Sequence, residues 1–277
     1  MTQYLNAFEA LALVPDWDPA SFEIEELKGG LTNRTYYLRR GDEEYVLRLD
    51  AEEAGFFRFD RTSELSILGV ASKAELAPQV IYADRDSGVL ITTFLPGRVW
   101  EESDLKLNRN LEALAQLLRG VHALPLCGNR INVLSVARNY ETYLEKRHGL
   151  HAFANRCVEV IDRVPVHEEA VCCHNDIVAA NVIEGSGLRL IDWEFACDND
   201  PMFDLASAIG FHNLDAQSAD VLLDAYAGGA DSELKERLVQ QIRVYDAIQW
   251  LWLASRHLVF PSRAQSRRLE ELQQRIR

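Results

Sequence analysis

His174-Asn175-Asp176-Ile177-Val178-Ala179-Ala180-Asn181, followed eleven positions later by Asp192-Trp193-Glu194-Phe195-Ala196, sets two carboxylates and one amide in an order that suits phosphoryl transfer. In that chemistry one carboxylate receives the proton of an attacking hydroxyl, while an amide oxygen and a second carboxylate hold Mg²⁺ across the phosphates of ATP. Asp176 is the expected base; Asn181 and Asp192 are the expected metal ligands. Mg²⁺ is a hard cation that borrows most of its oxygen ligands from phosphate and water, so one Asn and one Asp suffice. Val182-Ile183 and Leu188 to Ile191 read as short strands around Glu184-Gly185-Ser186-Gly187, and such a hairpin returns Asp192 beside Asn181. His174 is expected to brace the loop by hydrogen bonds rather than to move a proton.

Working outward, the first third alternates strand-like runs with turns. Strands are expected over 22–27, 35–39 and 45–49, broken at Gly29-Gly30 and Gly41-Asp42, with two more over 80–83 and 89–93. A helix is expected over 61–75, ended before Pro78. Beyond Phe94-Leu95-Pro96-Gly97 nearly every periodic segment is helical: to about Leu118 with Ser103 or Asp104 as cap, then near 136–148, 151–163, 216–227, 231–259 and from Ser262. The pattern predicts an α+β chain with a small mixed lobe carrying an antiparallel sheet (1–95, nucleotide binding) and a larger, mainly helical lobe (96–277, catalytic loop and acceptor site).

Within the first lobe, Arg48 lies in the third strand candidate, one residue before its end, where a fixed cation over phosphates is needed, and Glu64 on the next helix is its expected partner. Gly29, Gly30, Thr32 and Asn33 form a loop whose backbone amides can approach phosphates without Cβ interference. Thr93 and Phe94 fall where a main-chain edge can read adenine.

The composition bounds the partners. Lys and Arg number 29 against 43 Asp and Glu, a formal net charge of -14, which disfavours nucleic acid and anionic membranes. The chain opens without a basic segment followed by an apolar core, and no apolar run approaches a membrane span, so a cytoplasmic protein is expected. Five cysteines without framework spacing fit reduced thiols; a zinc site from Cys172, Cys173, His174 and Cys197 lacks metal-loop spacing. The oligomeric state has no signature.

With these residues in place the chain resembles the choline and ethanolamine kinase branch of the aminoglycoside phosphotransferase-like superfamily, and is also similar to bacterial thiamine kinases. The resemblance rests on Gly-Gly-Leu-Thr-Asn (29–33), Val-Leu-Arg-Leu (46–49), Leu-Pro-Gly (95–97), His-Asn-Asp with Asn181, and Ile-Asp-Trp-Glu-Phe-Ala (191–196) running on through Asp204 to Ala206. It implies a protein-kinase-like bilobal fold and an ATP- and Mg²⁺-dependent kinase of a small cationic alcohol, choline or ethanolamine first. Thiamine, then an aminoglycoside, remain alternative acceptors, and a nucleotide-binding pseudokinase is the alternative of another class. The resemblance also implies that Asp204 braces the loop after Asp192 and that Glu194 orients Mg²⁺ or the acceptor.

A quaternary ammonium is held by aromatic faces, each contact contributing on the order of 0.5–2 kcal/mol. Tyr245, Trp250 and Trp252 are the candidates on one late helix. Trp250 and Trp252 stand about 200° apart there, so one pocket cannot take both. Tyr245 and Trp252 share a face with Gln249 and Arg256, Asp246, Trp250 and His257 make another, and Val244, Ala247, Leu251, Ala254 and Leu258 form a core stripe between them.

Overall fold

The computed structural model describes residues 5–27, 33–50, 61–146 and 148–276, so Gly29, Gly30 and Thr32 lie outside the described residues. In chain order the strands are β1 (Glu23–Leu27), β2 (Asn33–Arg40), β3 (Glu43–Asp50), β4 (Val80–Asp84), β5 (Val89–Thr93), β6 (Arg98–Val99), β7 (Val171–Cys173), β8 (Val182–Glu184), β9 (Leu188–Leu190) and β10 (Cys197–Asn199). The helices are α1 (Ala7–Leu11), α2 (Arg61–Lys73), α3 (Asn108–His122), α4 (Val133–Leu144), α5 (His148–Asp162), α6 (Pro201–His212), α7 (Ala216–Ala227), α8 (Ser232–Val259) and α9 (Arg263–Arg275). Two compact units emerge: Met1–Trp100 with Ala180–Ala196, and Glu101–Ala179 with Cys197–Arg277.

In the first unit an antiparallel sheet runs β1-β2-β3-β5-β4. Gly41, at φ 61°, makes the tight turn into β3 that a residue with a Cβ adopts only with strain. Because side chains alternate along a strand, Leu47 and Leu49 enter the core with Leu38, Ile91 and the Leu11 face of α1, and Arg48 is turned to the other face. The short α1 has no sequence forecast, although Asn6 and Glu9 make a reciprocal capping box at its start.

A three-stranded sheet, β6-β8-β9, completes this unit and carries the hairpin foreseen around Glu184 to Gly187. Val182 pairs with Leu190, and the Ile191 amide donates to the Asn181 carbonyl at 2.9 Å, so the chain leaves the hairpin with Asn181 and Asp192 on neighbouring strand ends. The Pro96-Gly97 segment lies hard against the hairpin. A Cβ on Gly97 would stand 2.5 Å from the Glu184 carbonyl oxygen, and one on Gly185 2.6 Å from that of Pro96. Arg98 pairs with the Glu184 carboxylate, to which the Trp100 indole also donates.

The second unit is helical apart from β7 paired antiparallel to β10. Its helices match the expected ones to within a few residues, with two corrections. The cap expected at Ser103 or Asp104 is absent: Leu107 precedes α3 without a side-chain cap, and Asp104 instead accepts the Glu101 amide in a preceding turn. The α6 helix has no counterpart in the periodicity reading, because nine of its residues are buried and no polar stripe marks a face. The local signal that does exist is Asp200-Pro201, an N-cap that accepts the Met202 amide followed by proline at the first helical position. Among the described residues no helix is long and apolar enough to cross a membrane.

Candidate active site

In the first unit Arg48 donates to both oxygens of Glu64, at 2.5 and 2.7 Å, and its Nη1 lies 3.7 Å from Asp192 Oδ1. Glu64 is 1 % exposed, so this fork-on-fork pair is sealed on the carboxylate side and the guanidinium is fixed in direction. Burial alone would weaken the charged form of Arg48, but Glu64, then Asp192 and Glu194, more than offset it and raise its pKa. Burial likewise opposes the charge on Glu64, and the guanidinium groups of Arg48 and Arg61 hold its pKa below the ordinary value. The pair is therefore ionic throughout the neutral range.

Arg61, at the start of α2, is the residue that motif reading passes over. It reaches Glu64 at 2.9 Å, Glu194 at 3.3 Å, Asp50 at 2.6 Å and the Asn33 amide oxygen at 3.2 Å. Asn33 in turn donates to Glu194 at 2.8 Å. One half-buried cation thus joins the end of the first loop, the partner of Arg48 and the carboxylate two residues beyond Asp192. The only sequence signal is an Arg three residues before Glu64, a spacing that meets on a helix.

Asp192 itself is held in the left-handed region, φ 63° and ψ 64°, a conformation that costs a non-glycine residue and is kept only where the surroundings fix it. Asn181 is buried and Asp192 is part-exposed, and each offers the oxygen donor that Mg²⁺ prefers. The donor set fits that ion, with phosphate and water completing it. At the strand end, Thr93 donates its amide to Gln79 and Phe94 its amide to Glu44, so these two amides are engaged within the sheet and not turned to a base.

In the second unit Asp176 follows Asn175, whose φ of 65° turns the chain sharply out of β7. Asp204, fully buried on α6, accepts the amides of His174 at 3.0 Å and Asn175 at 2.6 Å, and His122 meets it at 2.9 Å. The brace expected of Asp204 for the segment after Asp192 is therefore given to the segment before Asp176. The physical reason is the close packing of α6 on β7. Ser207, one turn on, accepts the Ile177 amide at 2.7 Å. His174 is fully buried at the end of β7. Burial pushes the thiols of Cys172 and Cys197 up to about 12 and that of Cys173 also upward, which keeps them protonated and opposes zinc binding.

His212 Nε2 accepts the Ala179 amide at 3.0 Å, so its proton sits on Nδ1. Burial, partly countered by Glu102 and reinforced by Arg268, lowers the His212 pKa to about 4. The unfolded chain takes up this proton near pH 6.5 and the folded one near pH 4. The contribution is therefore complete above pH 6.5 and lost as pH falls toward 4, about 3 kcal/mol in all. Urea unfolding at pH 7.5 and 4.5 is expected to show this loss, and His212→Gln, which accepts the same amide without titrating, is expected to remove it; an equal loss in the variant would contradict the assignment.

On α8, Val244, Ala247, Leu251 and Ala254 are buried as the core stripe requires, while Leu258, near the end of the helix, is only half-buried. Tyr245 is buried and accepts from Gln249 at 3.2 Å, so the two share a face. Trp250 has no exposed surface and packs on Phe153 at 4.7 Å, the environment of a core residue rather than of an open aromatic wall. Trp252 is part-exposed, with the Arg256 guanidinium 6.0 Å from its ring centre.

Comparisons with known proteins agree on one family. The model of the "Phosphotransferase enzyme family" matches residues 23–239. Protein LicA of Haemophilus influenzae is 27% identical over 210 residues, covering 72% of this chain and 61% of LicA, so the chain spans less than two thirds of that relative's length. A thiamine kinase of Salmonella typhi is 29% identical over 245 residues, 83% of this chain and 79% of that protein. Among solved structures, a choline/ethanolamine kinase family protein from Mesorhizobium loti superposes with a TM-score of 0.75 at 23% identity, covering 98% of this chain and 92% of that one, which establishes a protein-kinase-like fold.

Proposed function

We propose that this chain, which belongs to the phosphotransferase enzyme family, is an ATP- and Mg²⁺-dependent kinase whose acceptor is the hydroxyl of a small cationic alcohol, choline or ethanolamine first. The observation that carries the reading is Arg48: a half-buried, bidentately fixed guanidinium with Asp192 3.7 Å away, the pairing of phosphate cation and metal carboxylate that phosphoryl transfer needs. We assign nucleotide binding to residues 1–95 and the catalytic loop and acceptor contacts to 96–277. Arg48 grips phosphate oxygens, and the loop through Gly29, Gly30, Thr32 and Asn33 offers backbone amides to them. Asn181 and Asp192 would hold Mg²⁺, which when bound neutralises phosphate charge. Asp176 orients the acceptor hydroxyl and takes its proton as the oxygen attacks. Most of the acceleration comes from positioning and electrostatics, because the transition state is loose.

For the acceptor, Tyr245 and Trp252 are the aromatic candidates, and the surplus of acid favours a cation. Thiamine is the second reading, favoured by the thiamine kinase relative that aligns over 83% of this chain. A coupled ADP-release assay with choline, ethanolamine, thiamine and kanamycin tests all of these. Turnover is expected with choline or ethanolamine; turnover with thiamine alone replaces the first reading by the second, and ATP binding without turnover of any of the four overturns both.

A further inference from the structure

Arg61, Asn33 and Glu194 close a triangle of hydrogen bonds. Arg61 Nη2 donates to Asn33 Oδ1 at 3.2 Å, Asn33 Nδ2 donates to Glu194 Oε2 at 2.8 Å, and Arg61 Nη1 donates to that same oxygen at 3.3 Å. A guanidinium only donates and a carboxylate only accepts, so the side chain bridging them must do both, as a primary amide does. The amide is thereby fixed in one orientation, with its oxygen to Arg61 and its nitrogen to Glu194. Aspartate at 33 would set two carboxylates face to face, and leucine would leave both neighbours with a bond unmade.

Each corner of the triangle belongs to a different part of the first unit. Asn33 is the last residue of Gly-Gly-Leu-Thr-Asn and the first of β2, where it pairs with Asp50 at the end of β3. Arg61 Nη2 also reaches Asp50 Oδ1 at 2.6 Å, so one nitrogen clasps both strands where the glycine loop enters the sheet. Glu194 is buried on the single turn Trp193–Phe195 that follows Asp192. That turn is itself anchored, because the buried Trp193 indole donates to the Leu190 carbonyl at 2.9 Å. Through Nη1, Arg61 shares Glu64 Oε2 with Arg48. The two terminal nitrogens of Arg61 are thus engaged by four protein oxygens, on Glu64, Glu194, Asn33 and Asp50.

We propose that Arg61 is a positioning residue for the nucleotide: by holding Asn33 and Glu194 in one triangle, it keeps the end of the glycine loop in register with the segment that carries Asp192. This rests on the nucleotide roles proposed above for that loop and for Asp192. The test is calorimetric titration of ATP with and without Mg²⁺ on wild type, Arg61→Lys, Asn33→Leu and the double variant, at a temperature below the melting point of each. The coupled assay with whichever panel alcohol turns over gives the alcohol KM beside it. Lysine keeps the charge at 61, and Arg48 keeps its fork on Glu64, but one ammonium cannot span oxygens that a planar fork reaches. Arg61→Lys is therefore expected to weaken Mg²⁺·ATP about tenfold and ATP alone about threefold, with the alcohol KM within about twofold. Asn33→Leu is expected to weaken Mg²⁺·ATP by about the same factor, and the double variant about twentyfold rather than the roughly hundredfold of independent sites. Wild-type affinity for Mg²⁺·ATP in Arg61→Lys, whatever its melting temperature, overturns the proposal and leaves the proposed function standing. A roughly hundredfold loss in the double variant overturns it as well, since the two side chains then act separately. So does a raised alcohol KM at unchanged ATP affinity, which would move Arg61 to the acceptor. If Arg61→Lys does not fold, Asn33→Leu carries the test alone, and unchanged ATP affinity there overturns the proposal. Failure of the wild type to bind ATP removes the proposed function and this inference together.

Discussion

Replacing Asp176 with Asn is expected to lower kcat by about 10² to 10⁴ while the ATP dissociation constant stays within about twofold. The two side chains share shape and volume, so the sharp turn at Asn175 and the bonds that Asp204 and Ser207 make to the flanking amides are undisturbed. What is lost is the capacity to accept a proton and the negative charge that orients the acceptor hydroxyl. In a loose transition state the proton moves late, so orientation accounts for much of the effect, which places the loss below that of deleting a nucleophile. Calorimetric titration with ATP and Mg²⁺ checks the binding half, and the coupled assay checks turnover. Full turnover in the variant would remove Asp176 from the mechanism.

Asp192→Asn is the second large effect, and it is expected to act on binding as well as rate. Asparagine tolerates the left-handed backbone at this position better than other non-glycine residues, so the turn survives. Arg48 keeps its bidentate partner Glu64, so the half-buried cation is not abandoned. The change removes one negative charge from the metal-facing side and leaves Arg48 uncompensated in that direction. The Mg²⁺-dependent affinity for ATP is expected to weaken about tenfold or more, and kcat to fall about 10²- to 10³-fold, as for other removals of a preorganised electrostatic group. An ATP dissociation constant that is the same in variant and wild type at saturating Mg²⁺ would argue against Asp192 as a metal ligand.

Much of this site is local in origin and was therefore legible. The hairpin that brings Asp192 next to Asn181 follows from two apolar runs around Glu184-Gly185-Ser186-Gly187, and the placement of Arg48 opposite Leu47 and Leu49 follows from strand alternation. Glu64 was legible because a helix follows β3 and one carboxylate lies in its first turn. Arg61 was not, since its partners Asn33, Asp50 and Glu194 come from three distant segments and a lone Arg has no periodic signature. The same holds for Asp204, whose bonds to the His174 and Asn175 amides depend on α6, a helix buried on all sides and so invisible to a test of amphipathic period.

The amino-acid order by itself determined the element types, the phosphoryl-transfer motif and the spacing of its base and metal donors, because turn chemistry and side-chain period act over a few residues. Tertiary packing decided which unit owns each piece: Ala180–Ala196 joins the first hundred residues through the contact of Gly97 with Gly185 and the Arg98–Glu184 pair, while Trp250 sinks into the core of the second. It also decided how each charge is held, since a buried carboxylate must find its cation wherever the fold presents one.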